Sequence, residues 1–210
     1  MARPRQPILS RQRIIEVATS ILDSDGLDAL STRRLASELG VSAPSLYNHF
    51  ATKEEILDGI ADAIVAQVDL TVLDGSDWPQ ALIAWARGYR RALAAHPNAV
   101  PFLARGPRLR PAALALADAV YGKLTEAGWP PGYATRIGAA MRYLVAGSAL
   151  GSFAQGFVDD PSVYADRYPH LRDAHRLREH RQRVDDGAFE LALSTLVSGF
   201  EELYPTVRHG

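Results

Sequence analysis

The sequence contains no cysteine, which excludes disulfides, zinc–thiolate sites and thiol nucleophiles. This absence fits a cytoplasmic location. An excess of charge of one sign is also missing. The sequence has 23 Lys and Arg and 24 Asp and Glu, which gives a net charge of -1. Any contact with DNA must therefore come from a local patch. No run reaches the length of a membrane-spanning helix and the N-terminus lacks a signal-peptide core, so we expect no membrane association.

What is present is typical of a globular protein: 210 residues, 47% hydrophobic and 22% charged, which is enough for one large or two small domains with a sizeable core. No stretch alternates with the period of two that a half-buried strand requires, whereas apolar residues recur with helical spacing in several segments. The predicted fold class is all-α, with about nine or ten helices.

Motifs for catalysis or metal binding are not found. His170, His175 and His180 are spaced by five, so on one helix each would turn about 140° from the last and the three could not share a face. No HExxH motif, phosphate-binding loop or G-x-S-x-G nucleophile elbow occurs. We therefore predict no catalytic residue, no metal ligand and no cofactor.

The stretch Ser31 to Lys53 organises the N-terminal part of the chain. A helix is predicted over Thr32 to Leu39, ending at Gly40, which can adopt the left-handed conformation that closes helices. Ser42 is then a good N-cap, and Pro44 is tolerated in the first turn of a second helix reaching about His49. A helix, a tight glycine turn and a short polar helix form the helix-turn-helix plan, in which the second helix enters the DNA major groove.

Other helices are predicted from caps and apolar stripes. Thr52 and Glu55 form a capping box for a helix that we expect to reach about Leu70, and Asp77 caps another that ends before Pro97. The remaining expected elements are a helix from the cap Ser10 to about Ser24, turns over 97–111, a helix over 111–127, a helix over 133–155 that is apolar on all sides and hence buried, and a final helix over 188–204.

Four arginines near the N-terminus, Arg3, Arg5, Arg11 and Arg13, occur with no acidic residue among the first thirteen positions. One interpretation is a solvated, disordered tail. The alternative is an arm that lies along the DNA backbone or in the minor groove.

The helix ending in Asp25-Gly26, followed by LSTRRLASELGVSAPSLYNHFATKEEIL, resembles the TetR family of transcriptional repressors. The later GSDW loop, the helix ending in AAHP and the total length resemble the tetracycline-repressor branch. The resemblance implies a homodimer, with a three-helix helix-turn-helix DNA-binding domain at 1–53 and a larger helical ligand-binding and dimerisation domain at 54–210.

Carried over residue by residue, the resemblance places DNA contacts at Thr32, Arg33, Ala43, Pro44, Ser45, Tyr47, Asn48, His49 and Lys53. Arg33 has the geometry to bind guanine through two acceptors, and Asn48 to bind adenine. The alternatives are a phosphate contact alone for Arg33, plain exposure for Asn48, and packing within the domain for Tyr47.

In tetracycline repressors a histidine binds the metal that carries the drug, and here that position corresponds to Leu103. The Arg-Pro pair that follows this histidine in tetracycline repressors looks like Pro107-Arg108 in this chain. We therefore expect a metal-free, aromatic pocket rather than one for a magnesium–tetracycline complex. Its candidate lining residues, for each of which ordinary core packing is the alternative, are Trp85, Tyr89, Phe102, Leu103, Tyr121, Met141 and Tyr143.

Small residues at Gly147-x-x-x-Gly151 predict a close helix–helix contact, which could serve a dimer, internal packing or an approaching ligand. The resemblance makes the final helix the stronger candidate for the dimer interface, because the family pairs its last long helices as a four-helix bundle and a two-fold dimer buries the same patch on both subunits. The resulting hypothesis is a homodimeric repressor, released from a near-palindromic double-stranded DNA operator by a small apolar or aromatic effector. The rivals are a helical small-molecule-binding or enzymatic domain, and an activator or regulator without a ligand.

Overall fold

The computed structural model describes residues 9–103, 109–165 and 167–208. Every regular element in those ranges is helical, which confirms the all-α prediction. Short 3-10 turns connect the α-helices, whose bounds are α1 Arg11–Asp25, α2 Thr32–Leu39, α3 Ala43–Tyr47, α4 Lys53–Val65, α5 Trp78–Ala94, α6 Val100–Leu103, α7 Pro111–Glu126, α8 Pro131–Ala149 and α9 Arg181–Val207.

Local capping explains most of the helix starts. The Ser10 hydroxyl accepts from the Arg13 amide at 3.1 Å, and the Asp77 carboxylate accepts from the Gln80 amide at 3.4 Å. A side-chain oxygen at this position satisfies one of the amides that a helix N-terminus leaves without a partner. The starts of α1 and α5 therefore follow the sequence-based prediction.

Three helix bounds differ from the prediction. α4 ends at Val65 instead of about Leu70, because the Asp69 carboxylate accepts from the Thr71 amide at 2.9 Å and starts a separate 3-10 turn. α8 ends at Ala149 instead of about Gln155, next to glycines that weaken a helix. α9 begins at Arg181, earlier than predicted, and within its first turns Asp186 pairs with Arg90 of α5 at 2.8 Å.

The chain divides into two compact units. The first falls within Met1–Gln67 and Asn98–Leu114, and its buried core includes Leu35, Leu46 and Phe50. In this unit α1 packs against α2 and α4, and α2 packs against α3. The predicted functional boundary between residues 53 and 54 stays a prediction, because this division follows packing alone.

The second unit comprises Val68–Pro97 and Ala115–Gly210, with α5, α8 and α9 packed around one core. The Trp78 and Trp129 rings meet edge to face at 5.3 Å, and the Tyr204 ring lies 4.9 Å from that of Trp129. Arg87 donates three hydrogen bonds to Glu190, at 3.0, 3.2 and 2.6 Å, and these bonds lower the pKa of the Glu190 carboxyl. Aromatic packing and this ion pair together fix α9 on α5.

α8 was expected to be buried on all sides, and in the described chain only one face is buried. Ala134, Ile137, Met141 and Val145 form that face, with the spacing of three and four residues that defines a helical stripe. Tyr143 lies on another face and is 71% exposed. Tyr143 is thus left without a covering element in the described parts of one chain.

None of the helices in the described ranges is long and apolar enough to cross a membrane.

Candidate nucleic-acid interface

α2 is capped at both ends, by Ser31 at its start and by the predicted Gly40 at its end. The Ser31 hydroxyl accepts from the Arg34 amide at 3.2 Å at its start. Gly40 adopts φ 66° and ψ 30° at its end, in the left-handed region that favours glycine. The Val41 amide donates to the Ala36 carbonyl at 3.0 Å, which closes the turn. This turn sets the direction in which α3 leaves α2.

α3 has only five residues and depends on its neighbours for stability. Leu46 is 1% exposed and Phe50, just beyond the helix, is 2% exposed, so both anchor it in the core. The residues next to Leu46 face outward: Tyr47 is 53% exposed and Asn48 is also exposed. The predicted reading helix therefore presents its polar side chains to solvent, and Tyr47 does not pack inside the domain.

Ser42 occupies the N-cap position of α3, but its hydroxyl does not cap the backbone. It lies 2.8 Å from the Ser45 hydroxyl instead. Each hydroxyl keeps the capacity for a further hydrogen bond. This pair is suited to a phosphate oxygen, which agrees with the DNA contact predicted for Ser45.

None of the nine predicted DNA-contacting side chains is buried. Arg33, Pro44, Tyr47 and Asn48 are exposed, and the half-buried members are Thr32, Ala43, Ser45, His49 and Lys53. They lie on α2, on α3, on the segment between α3 and α4 and, for Lys53, at the first position of α4. Their roles at DNA stay predictions.

The two neighbouring arginines of α2 have different surroundings. Arg34 pairs with Asp25 and lies 4.0 Å from Glu38, so its charge is engaged within the domain. Arg33 has no ion-pair partner among the described residues and is exposed. An unengaged guanidinium beside a reading helix can bind a guanine edge or a phosphate without first breaking an internal contact.

Lys53 is the first residue of α4, directly after the cap Thr52. The Thr52 hydroxyl accepts from the Glu55 amide at 3.1 Å, and the Glu55 carboxylate accepts from the Ala51 amide at 2.9 Å. The predicted capping box thus forms, with its return bond one residue earlier than in the usual pattern. It fixes the start of α4 to the segment that follows α3.

Arg11 and Arg13 belong to the first turn of α1 and not to a tail, because Ser10 caps the helix there. The Arg11 guanidinium lies 3.9 Å from the centre of the Phe50 ring and donates to the His49 carbonyl. Arg13 pairs with Glu16 at 3.2 Å. Arg3 and Arg5 lie outside the described residues, so the two interpretations of the basic N-terminus stay open for them.

The predicted ligand-binding residues do not form one group. In the second unit, Trp85 and Tyr89 are buried with ring centres 5.9 Å apart, and Met141 is buried on α8. Tyr121 is partly exposed and its ring covers Gly138 on α8, while Tyr143 is on the exposed side of that helix.

Phe102 and Leu103 are buried in α6 of the first unit. Leu103 offers no metal-binding atom. In the described parts of the chain, no group of three or more potential metal-binding side chains occurs. Pro107 and Arg108 lie outside the described residues.

Sequence reasoning missed a charged cluster in the first unit formed by Asp58, Asp62 and Arg110. Arg110 is 3% exposed, and its Nε lies 3.2 Å from the Asp58 carboxylate. A signal was present in the sequence, because Arg110 precedes the helix-starting Pro111 and an arginine has no acceptor to cap that helix. The sequence could not show which residue supplies the cap.

An exposed polar helix, held by a buried anchor and preceded by a capped helix and a glycine turn, is the geometry of a helix-turn-helix DNA-binding domain. The comparisons agree. A family model described as bacterial regulatory proteins, tetR family, matches residues 14–60, and the model of the tetracyclin repressor-like C-terminal domain matches residues 72–204. The chain belongs to the TetR family of transcriptional regulators.

Individual relatives support this assignment. An HTH-type transcriptional regulator of Saccharopolyspora erythraea is 35% identical over 167 residues, covering 80% of this chain and 71% of the relative. The class C tetracycline repressor of Escherichia coli is 32% identical over 203 residues, covering 93% and 92%. The crystal structure of the Streptomyces coelicolor TetR family protein ActR in complex with actinorhodin has a TM-score of 0.73 and 27% identity, covering 91% of this chain and 96% of ActR. The protein is thus a helix-turn-helix transcriptional regulator, a ligand-responsive repressor.

Proposed function

We propose that this protein acts as a homodimer that represses transcription from a near-palindromic operator in the cytoplasm. An apolar or aromatic small molecule, bound without a metal in the C-terminal domain, releases it from the operator. The observation that carries the proposal is the outward presentation of Tyr47 and Asn48 beside the buried anchor Leu46. Two such helices in a dimer would read half-sites about 34–36 Å apart.

The dimer is supported by an apolar face that α8 and α9 leave exposed. Tyr143 on α8 is 71% exposed and Leu191 on α9 is 70% exposed. A Cβ atom built on Gly147 would have no other atom within 4 Å, so this glycine does not serve packing within the described parts of the chain. An exposed stripe of large and small apolar residues on two adjacent helices suits close packing against the same stripe of a second copy.

A groove of about 350 Å³ lies in this face, between α8, the segment after it and the start of α9. We propose that the partner's side chains fill it. Its lining residues are Tyr143, Leu144, Gly147, Ser148, Gly151, Phe153, Asp185, Ala188 and Phe189. Of the roles that the sequence left open for Gly147-x-x-x-Gly151, the dimer contact is the one this geometry favours.

The ligand class is supported by the residues that stand at the predicted pocket positions. Trp85 and Tyr89 supply aromatic surface, and Leu103 replaces the metal-binding histidine that the tetracycline-repressor resemblance implies. The Trp85 indole Nε1 is buried and makes no hydrogen bond among the described residues. A buried donor without an acceptor is unfavourable, so a flat ligand with a carbonyl or hydroxyl oxygen near Trp85 would gain a hydrogen bond there.

The proposal is tested with the DNA upstream of the protein's own gene and two ligand probes. Binding should weaken with salt, with a log–log slope of about −0.9 for each phosphate neutralised. Actinorhodin, the ligand of ActR, should release the protein at lower concentration than tetracycline with Mg²⁺, because Leu103 cannot bind the metal. Binding that does not depend on salt would contradict the DNA-binding part. Release by tetracycline that requires Mg²⁺ would contradict the metal-free ligand part.

A further inference from the structure

An arginine-rich segment precedes α9 in the second unit. Between positions 167 and 183 the sequence has six arginines and two acidic residues, a formal charge of +4 with neutral histidines. The whole chain has a net charge of -1, so the segment is basic in a protein that is otherwise acidic. The six arginines are all exposed, and they are Arg167, Arg172, Arg176, Arg178, Arg181 and Arg183. A local excess of positive charge is typical of a surface that binds a polyanion.

The charges of this segment are not compensated by ion pairs. None of the six arginines pairs with a carboxylate among the described residues. In the same unit, Arg87 and Arg90 of α5 do pair, with Glu190 and Asp186 respectively. The segment therefore differs from the arginines that hold α9 on α5. A guanidinium without an internal partner can bind a phosphate without first breaking an ion pair.

Backbone turns hold the segment against the core of its unit. The amides of Leu171, Arg176 and Leu177 donate to carbonyls three residues earlier, at 2.9, 3.1 and 3.1 Å. Ala174, in the middle of these turns, is 5% exposed and serves as the anchor. The arginines on both sides of this anchor are exposed, so the segment presents its charge to solvent from a backbone with defined turns.

Half of the arginines line an open groove of about 710 Å³ at the start of α9. They are Arg178, Arg181 and Arg183. The groove also has two acidic residues, of which Asp186 is already compensated by Arg90 at 2.8 Å. Positive charge therefore dominates the groove. A guanidinium can bind phosphate oxygens through two parallel N–H donors, so this lining suits a phosphodiester backbone.

We propose that the arginine segment, residues 167–183, binds the phosphate backbone of duplex DNA without reading its sequence. Duplex DNA is the favoured polyanion, because a regulator held on DNA by its reading helix meets further phosphates at high effective concentration. An anionic membrane is a poorer partner, because the segment forms short turns instead of an amphipathic helix. The contact is additional to that of α3 and does not depend on the proposed dimer or effector.

Binding of duplex DNA by a protein without the predicted reading contacts tests the proposal. The full-length protein with Arg33→Ala, Asn48→Ala and Lys53→Ala is the background for all measurements. At low salt it should still bind a duplex of mixed sequence, with a log–log salt slope of about −0.9 for each phosphate that the segment neutralises. Absence of binding to this duplex at low salt would overturn the proposal.

Charge removal in the background protein then locates the binding. Replacing Arg178, Arg181 and Arg183 by glutamine should weaken duplex binding by about tenfold or more and should make the salt slope shallower. The matched control replaces three exposed arginines of the same unit that lie outside the segment, and it should leave the affinity nearly unchanged. These three are Arg91, Arg136 and Arg208. All six side chains are exposed, so we expect both variants to fold, which the melting temperature checks.

The comparison of the two glutamine variants decides the outcome. An equal loss of affinity in both would show an effect of net charge alone and would overturn the proposal. An unchanged affinity in the segment variant would also overturn it, because the remaining binding would then lie elsewhere. Vesicles that contain anionic lipid identify the partner class. Attachment of the background protein to these vesicles, without binding to the duplex, would overturn duplex DNA as the partner.

Discussion

Replacing Gly147 by arginine is expected to convert the protein to a monomer and to lower its operator affinity by about 10²-fold or more. The exposed α8–α9 face must pack closely against its own copy, and a two-fold axis would bring the two new arginines near each other. The added volume and the like charges both oppose that packing. Because a dimer binds its second half-site with a high effective concentration, separating the subunits removes most of the affinity without changing either reading helix.

The measurement is molar mass in solution together with operator affinity. Gly132→Arg is the matched control, because Gly132 is exposed on the same helix and also has open space around its Cβ position. The control should remain a dimer with wild-type affinity. If the Gly147 variant stays dimeric and binds normally, the interface does not include this face of α8.

The second large effect is expected at Arg33. Its replacement by alanine should cost about 1–3 kcal/mol of operator binding and should relax the sequence preference at one position in each half-site. The reason is that the exposed guanidinium has no ion-pair partner in the described residues and is available to a guanine edge. Lys53→Ala is the comparison. Loss of a phosphate contact should weaken binding to all sequences equally and should reduce the salt slope by about 1.

Affinity measured over a set of operators with single-base changes distinguishes the two roles. If Arg33→Ala lowers the affinity for all of these operators by the same factor, as expected for Lys53→Ala, Arg33 contacts the phosphate backbone. A preserved circular dichroism spectrum and melting temperature would exclude unfolding as the cause of either loss. Neither substitution removes a buried side chain, so we expect both variants to fold.

Much of the N-terminal unit could be predicted because its signals are local. The caps at Ser10 and Thr52 and the turn at Gly40 each act within a few residues, and the structure has all three where the sequence places them. The alternation between the buried Leu46 and the exposed Tyr47 also follows from helical spacing around a small core. These local features allow the position of the reading helix α3 to be predicted before any tertiary contact is known.

The remaining features depend on contacts between distant residues. The cap of α7 comes from the Asp62 carboxylate, fifty residues before the Ala112 amide that donates to it, and no local pattern reveals such a partner. The apolar sequence of α8 suggested burial on every side, whereas the described chain covers only the stripe that includes Met141. Composition alone cannot tell a helix buried within its own chain from one whose second face is buried by another copy.

The predicted ligand-binding residues also show that local patterns reveal neighbours on one helix but not contacts between distant residues. Trp85 and Tyr89 come together because they lie one turn apart on α5, which their spacing predicts. Tyr143 was placed with them from sequence, yet it lies on the exposed side of α8 next to Phe153. Its assignment to a ligand site stays a prediction, and in the structure Tyr143 lines the groove that we propose a partner subunit fills.

Selection from a pool of random duplex DNA, followed by sequencing, tests the central claim that α3 presents its side chains to base-pair edges. The account predicts enrichment of a near-palindromic site with two half-sites about one helical turn or more apart. It also predicts that the Asn48→Ala protein enriches a site with one relaxed position in each half. Enrichment of no sequence by the wild type, or of the same sequence by both proteins, would contradict it.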